Sequence, residues 1–123
     1  GGVGMSKREY VVCKVGEMQS GERRIIDCDG RSVGVFFVNG SYYALHNRCP
    51  HDAASLCMGP LTGTTEFTTG ETFIYKDAGY VLRCGWHGWE FDIRNGQAYV
   101  DPKMKAKTFS VVVHDDQVKV QIG

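Results

Sequence analysis

Short apolar runs separated by turn-forming residues extend along the whole chain. In the first half they predict strands at residues 10–15, 24–28, 33–38 and 42–45. Valine, isoleucine, tyrosine and phenylalanine are enriched in these runs, as is typical of strands. Asn39-Gly40 separates the last two and predicts a type I′ hairpin turn, because both residues accept positive φ angles. The first half is therefore predicted to be antiparallel β-structure.

The second half continues in the same way after a stretch rich in threonine and glycine, residues 62–70, which we interpret as a loop. Asp77-Ala78-Gly79 predicts a hairpin turn, and Asp115-Asp116 predicts another close to the C-terminus. No segment shows sustained helical periodicity. The strands predicted around these turns are residues 72–75, 80–82, 89–93, 98–100, 108–113 and 118–122. The pattern indicates an antiparallel all-β domain, either a sandwich or a partly open barrel.

Composition limits the classes of function. A chain of 123 residues is long enough for one domain with a modest core. Basic and acidic residues number 14 each, so charge gives no reason to expect nucleic acid or an anionic membrane as a partner. No apolar run approaches membrane-spanning length. Residues 1–4 are typical of a tag remnant ahead of a native start at Met5, and no signal peptide follows.

The five cysteines argue for a reducing compartment. An odd number without a secretion signal does not suit a disulfide framework, so we expect a cytoplasmic protein whose thiolates bind metal. Cys13 and Cys28 lie within predicted strands and have no partner at metal-ligand spacing. We interpret both as small core residues.

Two short motifs carry the candidate chemistry. The first is Cys49-Pro50-His51, and the second is Cys84-Gly85-Trp86-His87, followed by Gly88-Trp89. Two thiolates and two imidazoles on separate loops make a four-ligand metal site. A zinc site would also accept these donors. However, a single residue between Cys49 and His51 is unusual for zinc modules, and the glycine and tryptophan residues have no role there.

The pattern Cys-x-His … Cys-x-x-His resembles the Rieske [2Fe–2S] signature. The first box covers residues 44–60 and the second covers residues 81–96. The resemblance implies that Cys49 and Cys84 hold one iron and that His51 and His87 hold the other. It also implies a cluster-binding subdomain, residues 44–96, on a larger β base. The 32 residues between His51 and Cys84 exceed the usual interval, which predicts an insertion at residues 62–79.

Two departures distinguish the chain from respiratory Rieske proteins. Those proteins carry serine and tyrosine where this chain has Trp89 and Phe91, and they pair an extra cysteine in each box. Here Cys57 has no counterpart, because the matching position is Trp86. The chain is thus similar to soluble and oxygenase-associated Rieske domains. Rieske clusters as a whole span about −150 to +300 mV, and this resemblance implies a potential at the lower end.

Other residues of the boxes receive supporting roles. Gly85 and Gly88 lack side chains, so their backbone N–H groups can approach the cluster. Pro50 is expected to stiffen the first loop, and Pro102 to belong to a third loop over the cluster. Trp89 is expected to pack in the protein, whereas the role of Trp86 stays open between packing and partner contact.

The resemblance implies one-electron transfer rather than catalysis. A Rieske oxygenase catalyses at a separate iron on another domain, and His46 and His114 are not spaced to bind it. We therefore expect a monomeric ferredoxin that carries electrons from a reductase to a terminal oxygenase, and Met5 and the final hairpin favour this. The alternative is a Rieske domain or small subunit of a multicomponent oxygenase or reductase. A zinc-binding interaction module is a remote third possibility.

Overall fold

A computed structural model describes residues 8–50, 55–68, 72–84 and 88–122, with only the backbone described for 64–68 and 72–76. The contacts divide the chain into two compact units. The terminal unit consists of the chain up to His46 and from Lys107 onward, and the central unit runs from Asn47 to Ala106.

One antiparallel six-stranded sheet forms the terminal unit, in the order β1-β9-β8-β4-β3-β2. Three pairs of its neighbouring strands are joined by tight turns in which both central residues have positive φ. These turns are Asp29-Gly30, Asn39-Gly40 and Asp115-Asp116. The strands are β1 (Arg8–Lys14), β2 (Arg23–Cys28), β3 (Arg31–Val38), β4 (Ser41–His46), β8 (Thr108–His114) and β9 (Gln117–Ile122).

The two outermost strands of this order, β1 and β2, approach one another, so the sheet curls into a nearly closed barrel. Arg8 on β1 and Asp29 after β2 form an ion pair at 2.7 Å. Cys13 on β1 and Cys28 on β2 belong to the same buried cluster. The exposed ion pair adds little stability. Burial of apolar side chains holds the barrel together. The rest of that cluster comprises Val12, Met18, Val33, Val35, Ala44, Val118 and Val120.

Burial also affects the two thiols of this core. Cys13 and Cys28 are 5% and 2% exposed. Burial is the main cause that raises the pKa of each thiol above its ordinary value, because a buried thiolate would lose hydration. Both behave as the small core residues that the sequence predicts.

The central unit contains a three-stranded antiparallel sheet in the order β5-β6-β7. A short 3-10 helix, Leu56–Met58, precedes it. The strands are β5 (Leu61–Thr68), β6 (Thr72–Arg83) and β7 (Glu90–Asp92). Residues 97–99 follow the other edge of β7, where Ala98 forms an isolated bridge with Phe91 and the Tyr99 N–H donates to the Glu90 carbonyl at 2.9 Å. This segment replaces the regular strand predicted at residues 98–100.

Two local predictions for the interval between the boxes are wrong. Most of the predicted loop at residues 62–70 is strand β5, and the hairpin predicted at Asp77-Ala78-Gly79 is a bulge within the continuous strand β6. The register pairs Thr62 with Val81 and Thr64 with Lys76, so residues 77–80 bulge out opposite Gly63. Asp77 and Gly79 have φ angles of 56° and 87°. The turn-forming chemistry was predicted correctly, but the strand continues beyond it because β5 supplies a pairing partner.

The all-β antiparallel prediction is confirmed, with the barrel form preferred over the sandwich. Within the described ranges, the 3-10 helix is the only helix. None of the described segments forms a helix of the length and apolarity needed to span a membrane.

Candidate metal centre

The first box follows directly from strand β4 and is held by a side-chain contact to the backbone. The Cys57 N–H donates to Asn47 Oδ1 at 2.8 Å, which ties the 3-10 helix to the start of the box. Cys49 is 1% exposed, and Cys57 is fully buried. The box therefore places two thiols in the interior of the central unit.

The second box closes the hairpin between β6 and β7. Arg83 pairs with Glu90 at the end of the ladder. The Cys84 N–H then donates to the Trp89 carbonyl at 2.7 Å, and the Gly88 N–H donates to the Cys84 carbonyl at 2.9 Å. Gly88 has a φ of 68°, a conformation that favours glycine. These two hydrogen bonds hold the backbone of Cys84 to Gly88 and Trp89, and Cys84 is fully buried.

The end of the first box lies against the strand that leads to Cys84. The Arg83 N–H donates to the Pro60 carbonyl at 3.1 Å, and Leu61 pairs with Leu82. A Cβ atom on Gly59 would overlap the Arg83 carbonyl oxygen. Only glycine permits this approach without a shift of the backbone. The two boxes are therefore in direct backbone contact, one residue before Cys84.

Charges at the base of the second box are balanced. Arg83 Nη2 lies 3.2 Å from Glu90 Oε2, and the two side chains are 49% and 23% exposed. A half-exposed pair of this kind contributes little stability. The two opposite charges offset one another, so the pair carries no net charge.

A polar network braces the bulge of β6 from across the sheet. The Tyr99 hydroxyl donates to Asp77 Oδ2 at 2.7 Å, and Arg94 Nη2 lies 3.2 Å from Asp77 Oδ1. The Arg94 guanidinium also donates to both carboxylate oxygens of Asp92 at 2.9 Å and lies 4.4 Å from the Tyr80 ring centroid. We call these five residues the Asp77 network.

The network shifts the pKa of two of its members. Burial, followed by the hydrogen bond to Asp77, raises the pKa of Tyr99 above its ordinary value. The hydrogen bonds to Asp92 are the main cause that raises the pKa of Arg94. Both groups are donors at neutral pH, as tyrosine and arginine ordinarily are, and the shift keeps the Tyr99 hydroxyl protonated further into the alkaline range. Sequence reasoning missed this network, because nothing in the spacing of Asp77, Arg94 and Tyr99 shows that they meet.

Of the residues that the sequence assigns to the site, Cys49, Pro50, Cys84, Gly88 and Trp89 fall in described segments. His51, Gly85, Trp86 and His87 lie outside the described residues. Accordingly, the parts of the chain that are described contain no group of three or more ligating side chains. The four-ligand set stays a prediction.

Trp89 and Gly88 are the two residues of the second box for which the structure shows a local role. Trp89 is half-buried, and its ring stacks on Phe91 with centroids 6.5 Å apart, which agrees with the predicted packing. The Gly88 N–H has a backbone acceptor, as described above, so the observed need for glycine is conformational. A role for Gly88 beside the cluster stays a prediction.

The other two histidines lie in the terminal unit. His46 ends β4, and its N–H donates to the Lys107 carbonyl at 2.8 Å. His114 ends β8 and is largely exposed beside Asp115. Neither belongs to the unit that contains Cys49 and Cys84.

The described donors fit an iron–sulfur cluster. Each box contributes a buried thiol, at Cys49 and Cys84, from loops that are in backbone contact. Soft sulfur ligands suit iron–sulfur clusters, and burial protects such a centre from solvent.

Two curated proteins with similar sequences differ in size. The chain is 29% identical over 115 residues to the ferredoxin component of the p-cumate 2,3-dioxygenase system of Pseudomonas putida, a match that covers 91% of this chain and 84% of that protein. It is also 29% identical over 113 residues to apoptosis-inducing factor 3 of Mus musculus. That match covers 92% of this chain but 15% of the relative.

Solved structures show the same fold. One is described as a complex of reduced oxygenase and oxidized ferredoxin in carbazole 1,9a-dioxygenase. A chain of that structure matches with a TM-score of 0.72 and 27% identity, covering 92% of each chain.

A comparison with models of protein families identifies the family of the chain. The model of the Rieske [2Fe-2S] domain matches residues 8–119, which is nearly the whole chain. Relatives that match over most of their own length are ferredoxin components of oxygenase systems, which carry electrons rather than catalyse. The chain therefore belongs to the Rieske [2Fe–2S] family and is an electron carrier that holds a [2Fe–2S] cluster.

Proposed function

We propose that Cys49, His51, Cys84 and His87 bind the cluster, and that the protein is a ferredoxin that passes electrons from a reductase to a terminal oxygenase. The observation that carries the ligand assignment is the backbone contact between the two boxes at Gly59 and Arg83. It supports the assignment because it joins the loop of one buried thiol to the strand of the other.

The ligand types set the chemistry. When bound, the cluster accepts and returns one electron, and two neutral imidazoles in place of thiolates make it easier to reduce. The chain's part is to supply Cys49 and Cys84 as thiolates in a buried setting. The hydrogen bonds that close the 84–89 loop keep Cys84 in place.

The oxygenase as acceptor is supported by the relatives. The p-cumate protein and the alkene monooxygenase protein of Xanthobacter autotrophicus are both ferredoxin components, and this chain covers 84% and 80% of them. Coverage on that scale suits a free-standing carrier. We further propose a monomer that works in the cytoplasm, with a cluster-binding subdomain at residues 44–96 and an insertion at residues 62–79.

A second candidate function is an electron-transfer domain of a larger protein. The match to apoptosis-inducing factor 3 favours it, because there the region similar to this chain is 15% of the whole. The two candidates differ in whether the cluster exchanges electrons with separate proteins or within one assembly.

Serine substitutions test the ligand assignment. Cys49→Ser and Cys84→Ser should each abolish the visible spectrum and the acid-labile sulfide, because each removes a thiolate that holds iron. Cys13→Ser, Cys28→Ser and Cys57→Ser are matched controls, since all three thiols are also buried, and they should keep the spectrum. Loss of the spectrum in any control, or stoichiometric zinc without labile sulfide in the wild type, would contradict the assignment.

Reconstituted electron transfer tests the role. The purified protein is mixed with NAD(P)H, a candidate flavin reductase and a terminal oxygenase, and product is measured with and without it. We expect product formation to depend on the protein and to saturate with its concentration. Efficient reduction by a reductase together with no transfer to any oxygenase would favour the second candidate function.

A further inference from the structure

We propose that Asp77 and Tyr99 are positioning residues for the second ligand box: together they clamp the hairpin that presents Cys84. The inference deepens the proposed function and rests on the proposed ligand set, because Cys84 must be a ligand for its placement to matter.

The topology shows what the clamp spans. Strand β7 lies between β6 and residues 97–99, which hydrogen-bond to its other edge. Tyr99 therefore reaches across β7 when its hydroxyl donates to Asp77 on β6, a contact of 2.7 Å. The loop that joins β6 to β7 carries Cys84. One hydrogen bond thus links β6 to the segment on the other edge of β7, across the second strand of the hairpin that bears Cys84.

The bulge explains why such a clamp is needed. Residues 77–80 of β6 lie opposite the single residue Gly63, so the ladder to β5 is interrupted there. Beyond the bulge, residues 81–83 of β6 pair with β7, and Val81 and Leu82 also pair with β5. Residues 77–80 lie outside the register of the ladder to β5. The contact to Asp77 therefore adds restraint within the bulge, where that ladder is interrupted.

Arg94 strengthens the clamp from the end of β7. Its guanidinium contacts Asp77 at 3.2 Å and Asp92 at 2.9 Å, and it stacks on Tyr80 at 4.4 Å. Charge-assisted bonds of this type are stronger than neutral ones. The guanidinium therefore joins β6 and β7 with both carboxylates satisfied. The raised pKa of Tyr99, caused first by burial and then by Asp77, agrees with a hydroxyl that stays protonated.

Two mild substitutions and their combination test the clamp. Tyr99→Phe removes only the hydroxyl, and Asp77→Asn removes only the charge. The matched control is Tyr42→Phe, which removes a hydroxyl from a half-buried tyrosine of the terminal unit that contacts Phe37. In the holoprotein, absorbance is followed during incubation with excess iron chelator, and the reduced cluster is examined by electron paramagnetic resonance.

Each single variant should lose its cluster at least about tenfold faster than the wild type, the lower bound for loss of one hydrogen bond to a charged group. Its resonance lines should broaden, because Cys84 samples a wider range of positions. The double variant should lose its cluster more slowly than the product of the two single effects predicts, since both substitutions weaken the same contact between Tyr99 and Asp77. Tyr42→Phe should match the wild type in both measurements.

Three results would overturn the proposal. The first is a lower melting temperature with unchanged cluster loss and line width, which would show a brace without a positioning role. The second is additive effects in the double variant, and the third is an equal effect of Tyr42→Phe. Cys84→Ser separates the two proposals. If Cys84→Ser keeps the cluster, the ligand assignment fails, whereas loss of the cluster there with no effect of Tyr99→Phe overturns only the clamp.

Discussion

At Gly59 a single missing side chain lets the two ligand boxes touch. Its φ is not in the left-handed region, so the glycine is explained by space and not by conformation. Gly30 is the opposite case, with a φ of 90° and no atom within 4 Å of the place that a Cβ would occupy. The two glycines therefore separate a steric requirement from a conformational one.

Replacement of these glycines should have different consequences. Gly59→Ala places a Cβ against the Arg83 carbonyl oxygen. The backbone of β6 must therefore move at Arg83, the residue before Cys84. We expect a loss of about 1–3 kcal/mol in the free energy of unfolding, together with reduced iron content. Gly30→Ala should cost about 1–2 kcal/mol through its left-handed backbone and leave the iron content unchanged. Equal iron content in both variants would contradict the steric role of Gly59.

The residue at position 91 bears on the reduction potential. Phe91 is fully buried and, like Trp89, carries no hydroxyl that could donate to the cluster or its ligands. We expect a potential of about −150 mV, the lower end of the Rieske range. Phe91→Tyr should raise it where the new hydroxyl reaches sulfur, while Phe37→Tyr in the terminal unit should not. A wild-type potential well above zero, measured by voltammetry, would reveal another donor.

At the scale of the strands, the turn-forming residues were identified correctly from the sequence. Whether two separate strands or one bulged strand flank them could not be predicted as well. Asn39-Gly40 and Asp115-Asp116 form the predicted hairpins, with positive φ at both residues of each pair. Asp77-Ala78-Gly79 has the same chemistry yet bulges within one strand, because β5 pairs with β6 on both sides of it. Pairing with a distant strand decides whether such residues form a turn or a bulge. The local sequence does not show which strands will pair.

The same limit applies to the site. The cysteines and histidines of the boxes are recognisable because metal ligands keep a short local spacing. Tyr99 and Asp77 are 22 residues apart and meet only after β7 has paired with β6. Supporting residues of this kind depend on the register of strands, which sequence reasoning left undetermined here.

The Asp77 network makes a prediction about pH. Tyr99 has a raised pKa in the folded protein, because burial and the Asp77 carboxylate disfavour the phenolate. In the unfolded chain it titrates near pH 10. The protonated Tyr99 hydroxyl therefore contributes fully to the free energy of unfolding below about pH 10. That contribution is lost as the pH rises above this value.

Urea unfolding at a series of pH values measures this contribution. The difference in free energy of unfolding between wild type and Tyr99→Phe should be constant from pH 7 to about pH 9. It should shrink above about pH 10, when the unfolded wild-type chain releases the Tyr99 proton. A difference that stays constant through the alkaline range would show that Tyr99 titrates normally in the folded state.

For the whole molecule, the decisive feature is that each unit has a core of its own. The terminal unit buries Val33, Val35, Val118 and Val120 within its barrel. The central unit buries Leu56, Leu82, Phe91 and Ile93, and it also buries Cys49 and Cys84 of the proposed site. Its sheet has three strands, one of them three residues long. Because Cys49 and Cys84 lie in the central unit, its stability should depend on the cluster more than that of the six-stranded barrel does.

Removal of the cluster should therefore affect the units unequally. Because cluster binding contributes folding free energy where its ligands lie, the Cys49→Ser/Cys84→Ser double variant should lose amide protection in the central unit, at β6 and β7. Amides of β3, β4, β8 and β9 should keep most of theirs, since the barrel core is unchanged. Hydrogen exchange of the double variant and of the wild-type holoprotein measures amide protection in both units in one experiment.

The control is Cys13→Ser/Cys28→Ser, which alters the barrel and spares the cluster. Loss of protection in both units of the Cys49→Ser/Cys84→Ser variant would show that they fold as one cooperative body. Full protection in both units would show that the central core is stable without these two cysteines.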